Sequence, residues 1–191
     1  MASLSCAVPL LFSLSSPLLV TLLVAQAPSV SALWPLPQQV STGSTPLHLA
    51  HDFFIDLSGV DDPPQDLIDA VACTQRYLHT DKLQFLVPDR GASYANSISN
   101  ANTLSKLAIS HGGGSMKSIS QEVVQHLESR VEDYSLTVPE DGGTAVLRAN
   151  STLGLFRGLT TFSQLWYDWD GTTYTLHAPI DILDKPAYVS I

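Results

Sequence analysis

Residues 132–167 read EDYSLTVPEDGGTAVLRANSTLGLFRGLTTFSQLWY, and the fold turns on them. Two short alternating runs, 134–138 and 145–149, flank Pro139-Glu140-Asp141-Gly142-Gly143, which spells a strand, a glycine turn and a returning strand. Asn150-Ser151-Thr152 then offers side-chain oxygens to the free N–H groups at the start of a helix. Leu155, Leu159, Phe162 and Trp166 recur at helical spacing, so that helix carries one apolar stripe and must lie on the sheet. Gly154 and Gly158 each cost the helix about 1 kcal/mol against Ala. Placed four apart, they are read as a flat strip that lets the helix approach the strands closely.

Working outward, residues 47–57 alternate well enough to form a first strand, preceded by an extended lead-in over 33–40. Pro64 fits a first helical turn, and Asp66 and Asp69 favour the positive end of a helix dipole, which predicts a helix over 64–79 with Leu67, Val71, Thr74 and Leu78 facing the core. A second strand is expected over 82–87, a surface loop rich in Ser, Asn and Ala over 89–103, and a third strand over 104–110. Residues 118–130 are read as a helix with Val123, Val124 and Leu127 inward. After the central stretch, Asp168-Trp169-Asp170-Gly171 forms a turn, 174–177 a strand and 180–183 a short extension. The expected fold class is α+β, a mostly antiparallel sheet with two or three helices packed on one face.

With 18 acidic and 9 basic side chains among 191 residues, the net charge of −9 argues against a nucleic-acid partner and an anionic membrane surface. Residues 1–30 hold no charged side chain, and their apolar runs are broken by Pro17. They read as a secretory leader, with cleavage after Ala32 and Leu33 as the mature start. Cys73 then stands alone; it shares a helical face with Ala70 and Tyr77, which favours burial, a partner cysteine elsewhere being the alternative.

Candidate chemistry is sparse. His111-Gly112-Gly113-Gly114 has the form of an oxyanion loop, yet the G-x-S-x-G elbow that accompanies one is missing, so a glycine turn is preferred. His48 and His51 would fall on opposite faces of a strand and form no metal pair. Asp168-Trp169-Asp170 has the composition of a cation or sugar site, and a turn explains it as well. The sequence holds no Asp-Glu dipeptide; Glu132-Asp133 and Glu140-Asp141 have the reverse order and read as solvated turn carboxylates. Asn150-Ser151-Thr152 is an N-glycosylation sequon, in competition with a capping role for Asn150.

The strand at 135–139, the helix from Asn150-Ser151-Thr152-Leu153-Gly154 to Trp166-Tyr167, the run 174–188 ending in Asp184-Lys185-Pro186-Ala187-Tyr188 and, more weakly, Leu33-Trp34-Pro35-Leu36-Pro37 resemble the non-catalytic domain that precedes the barrel in fungal β-N-acetylhexosaminidases of glycoside hydrolase family 20. The resemblance covers most of the chain after the leader. It implies a signal peptide at 1–32, the N-terminal domain at 33–188 and an aberrant tail at 189–191, where a catalytic (β/α)8 barrel would begin. The family removes terminal N-acetylhexosamine from β-linked glycans without cofactor or metal, an adjacent Asp-Glu pair assisting attack by the substrate's own acetamido oxygen. The resemblance carries no catalytic or substrate-binding residue onto this chain. The family's substrate-binding Arg follows the Asp184–Tyr188 segment and is not found there, and Arg157 belongs to the supporting helix. The implied partner is that barrel, in cis, and the expected fragment is inactive alone. The competing reading is a stand-alone secreted module that binds a glycan or protein through Trp166, Tyr167 and Trp169.

Overall fold

The computed structural model describes residues 33–80 and 89–186. The expected leader at 1–32, the strand expected over 82–87 and the tail at 189–191 lie outside the described residues. Among the described residues six strands and four α-helices follow one another: β1 (Gln39–Gly59), α1 (Gln65–Thr80), α2 (Ala95–Ser99), β2 (Asn102–His111), α3 (Ile119–Val123), β3 (Tyr134–Val138), β4 (Thr144–Ala149), α4 (Thr152–Ser163), β5 (Tyr167–Trp169) and β6 (Thr172–Asp184).

The strands form one mixed sheet in the order β1-β2-β4-β3-β6-β5, with β1 also paired to β6. Only β1–β2 and β2–β4 run parallel; the other pairings are antiparallel, as the α+β reading requires. Following the partners from β1 through β2, β4, β3 and β6 leads back to β1. One long strand closes this ring because its register shifts twice against β6 and twice against β2, so that it bends from one partner to the other. Gly43 permits the crossing: a Cβ there would lie 2.3 Å from the carbonyl oxygen of Ala178 on β6.

Strand residues alternate between a buried face and an open one. Leu104, Leu107 and Ile109 on β2, Leu136 and Val138 on β3, Leu147 on β4 and Ile180 and Ile182 on β6 are buried in one cluster with Leu67, Val71 and Leu78 of α1 and Leu155, Leu159 and Phe162 of α4. The two long helices therefore cover a single face. The hairpin from β5 to β6 turns through Asp170 and Gly171, both at positive φ (48° and 81°), the geometry that matches the twist of the flanking strands.

Four expectations need correction. β1 begins at Gln39, well before residue 47: its first half is polar, and its extended form comes from pairing with β6. The 89–103 loop contains α2, whose Ile98 is buried. The helix expected over 118–130 stops at Val123. A capping box between Ser118 and Gln121 starts it, but Glu122 is drawn to the first turn of α4, where its Oε2 accepts from the Leu153 N–H at 2.6 Å. Val123, Val124 and Leu127 are consequently exposed, Val124 at 78%. Cys73 is exposed too, because Leu67, Val71 and Leu78 define the buried side of α1 and Cys73 points away from it.

Candidate functional site

Ser151, and not Asn150, caps α4: its hydroxyl accepts from the Gly154 N–H at 2.9 Å and donates to the Val131 carbonyl. The helix sits tightly on the hairpin, as the glycine spacing predicts. A Cβ on Gly154 would lie 2.5 Å from the Asp133 carbonyl oxygen, and one on Gly158 would lie 2.2 Å from Leu147 Cδ1. The Tyr134 hydroxyl reaches Thr161 Oγ1 at 2.6 Å across the same contact. Burial pushes that phenol up to about 12, against the opposing pull of its bond to Thr161.

Glu132 overturns its reading as a solvated turn carboxylate. It is only 3% exposed, and its Oε2 accepts from Arg157 Nε at 2.7 Å while the Arg157 side chain stays 40% exposed. The close seating of α4 carries Arg157 over the strand entrance and closes water away from Glu132. No signal in the local sequence marks this, since the partners are 25 residues apart. Removing Arg157 is the costly change, because it strands the buried Glu132 carboxylate without its partner, whereas Arg157 is open enough to turn to water. Asp133 remains at the surface, 3.7 Å from Lys185 Nζ.

The other candidates are dispersed. His48 meets Thr103 Oγ1 at 3.0 Å and His79 meets the Phe53 carbonyl at 3.0 Å, both beside a cleft of about 850 Å³ that His51 also borders. Among the described residues no three His, Cys, Asp or Glu side chains are placed to hold a metal ion. Gly113 and Gly114 take positive φ (105° and 93°) beyond β2, a glycine turn. Asp168-Trp169-Asp170-Gly171 is the β5–β6 corner, and Asp168 Oδ1 accepts from the Gly171 N–H at 3.3 Å. The aromatic trio is not assembled into a platform: Trp166 is buried edge-on against Phe162, and Arg90 lies 4.4 Å over the Tyr167 ring. Asn150 is exposed at the β4–α4 corner.

What the geometry builds is thus a packed unit, α4 clamped onto a hairpin by two glycines and an ion pair. The family described as beta-acetyl hexosaminidase like matches residues 33–165. The beta-hexosaminidase subunit beta of Felis catus is 31% identical over 175 residues, covering 89% of this chain. This chain spans 31% of that relative's length. The structure of a chitobiase from Flavobacterium johnsoniae superposes with a TM-score of 0.52 at 22% identity, over 81% of this chain and 21% of that one, and shows a shared fold.

Proposed function

This chain belongs to the beta-acetyl hexosaminidase like family, as the N-terminal domain of a family 20 glycoside hydrolase, and from that premise we propose that it supports the catalytic barrel of a secreted β-N-acetylhexosaminidase. The whole enzyme would remove terminal N-acetylhexosamine from β-linked glycans such as chitin oligomers, by the substrate-assisted retaining route and without cofactor. The observation that carries the proposal is the family match over residues 33–165, which takes in the close packing of α4 on its hairpin. The cat relative and the bacterial chitobiase both bear names of that activity. Burial of Trp166 weighs against the stand-alone binding module.

In this proposal the 191-residue chain is catalytically silent by itself. Purified protein incubated with an aryl N-acetyl-β-glucosaminide is expected to release no phenol above a buffer blank; turnover that scales with protein concentration would sink the proposal.

A further inference from the structure

We propose that the open face of the sheet carries a binding site for a carboxylate-bearing sugar, anchored by Arg148; the site does not depend on the supporting role. The strand register builds it. Ser110 on β2 lies opposite Arg148 on β4, Arg148 opposite Ser135 on β3, and Ser135 opposite Leu183 on β6, so four side chains stand in one row across four strands. Neighbouring strands lie about 4.8 Å apart, which puts a hydroxyl on each side of the guanidinium. With His111 and Asp133 the row borders a depression of about 450 Å³, of a size that takes a small molecule.

The chemistry of the occupant follows from what the row leaves unanswered. Arg148 is exposed, and among the described residues nothing pairs with its guanidinium or with the hydroxyls of Ser110 and Ser135. In a chain with 18 acidic and 9 basic side chains this is out of keeping. Lys106, further along the same face, meets Asp56 at 3.4 Å, and Asp133 at the border of the depression is met by Lys185 at 3.7 Å. Asp181, also on this face, lies one row on and two strands away from Arg148. A guanidinium fork matches one carboxylate through two parallel hydrogen bonds. His111 adds a donor: its Nδ1 accepts from the Gly113 N–H at 3.3 Å, so the ring proton sits on Nε2. The two serine hydroxyls can donate to or accept from sugar hydroxyls, and Leu183, half exposed, offers an apolar surface to the C–H face of a sugar ring. A single free cation in a chain of net charge −9 suits one acidic sugar unit and not a polyanion.

The test titrates the 191-residue chain, made in bacteria so that Asn150 at the rim carries no glycan, with sodium glucuronate at fixed ionic strength and follows backbone amide shifts. Saturating shifts centred on Ser110, Ser135 and Arg148 are expected, with a Kd of about 1 mM, and glucose should bind at least about tenfold more weakly. Arg148→Gln is expected to weaken glucuronate at least about tenfold and Ser135→Ala a few-fold, while Lys106→Gln leaves it unchanged. If Arg148→Gln lowers the melting temperature, Ser135→Ala carries the comparison. Acetate that matches glucuronate in affinity would reduce the site to a bare anion contact and overturn the sugar. Equal weakening by Arg148→Gln and Lys106→Gln would assign the binding to diffuse charge and overturn the anchor. Titration with no saturable shift along this row would overturn the site altogether.

Discussion

At Gly154 the two consequences of a missing side chain oppose each other, and their magnitudes decide the sign. Alanine in a helix interior is favoured over glycine by about 1 kcal/mol. The added methyl, however, would stand 2.5 Å from the Asp133 carbonyl oxygen and 3.0 Å from the Ala149 Cβ, and neither belongs to a flexible side chain. Forcing such a contact costs about 1–3 kcal/mol, so Gly154→Ala is expected to destabilise the domain on balance. At Gly158 the nearest atom is the end of the Leu147 side chain, which can turn, and the loss should be smaller. Urea midpoints of the two variants, read against an unchanged m-value, check the order; a Gly154→Ala midpoint above the parent's would show that α4 is not seated as described. The spacing of these glycines was legible because a helical glycine is anomalous in sequence. The burial of Glu132 was not: its local neighbours are turn-like, and the guanidinium that covers it arrives from a helix 25 residues away.

Among the elements, those with their own periodicity were readable. The β3–β4 hairpin and α1 lie within a residue of their expected bounds and α4 starts where expected, since alternation, a proline at the helix start and a capping hydroxyl are local signals; α4 ends at Ser163, short of the Trp166 expected within it. The first half of β1 and the shortness of α3 were not, for each is settled by a distant partner: β6 for the one, the first turns of α1 and α4 for the other. Asp66 is that link on the α1 side, its Oδ2 accepting from the Ser120 N–H at 3.0 Å and from its hydroxyl at 3.2 Å. Burial pushes this carboxyl up, yet N–H bonds from Ser120, Ile119 and Leu67 and the Ser120 hydroxyl together hold it below the ordinary carboxylate value. A group depressed in the folded state stabilises the fold above its unfolded pKa, about 3.9, and loses that contribution as pH falls through the folded value. Asp66→Asn should therefore lower the melting temperature at pH 7 and have progressively less effect toward pH 3. A melting-temperature difference independent of pH across that window would show that Asp66 does not tie α3 to α1.

For the whole molecule the remaining question is the compartment, and one corner of the fold makes it measurable. In the sequence Asn150 stands between two roles, helix cap and glycan acceptor. The structure gives the cap to Ser151, which leaves the Asn150 amide exposed at the β4–α4 corner. Thr152, the sequon hydroxyl, is buried and donates to the Lys117 carbonyl at 2.6 Å, so a glycan would have to be added before this corner folds, as happens during translocation of an emerging chain. We propose accordingly that a chain exported through residues 1–32 carries a glycan at Asn150. Expression in a eukaryotic secretory host is expected to yield medium protein that starts at Leu33, migrates faster after amidase removal of N-glycans, and loses that shift in Asn150→Gln. Intact, unmodified chain retained inside the cell would refute the secretory reading. Protein that is secreted and cleaved but unshifted would refute only the glycan, and would mean that Ser151 and Thr152 engage the helix start before transfer can occur.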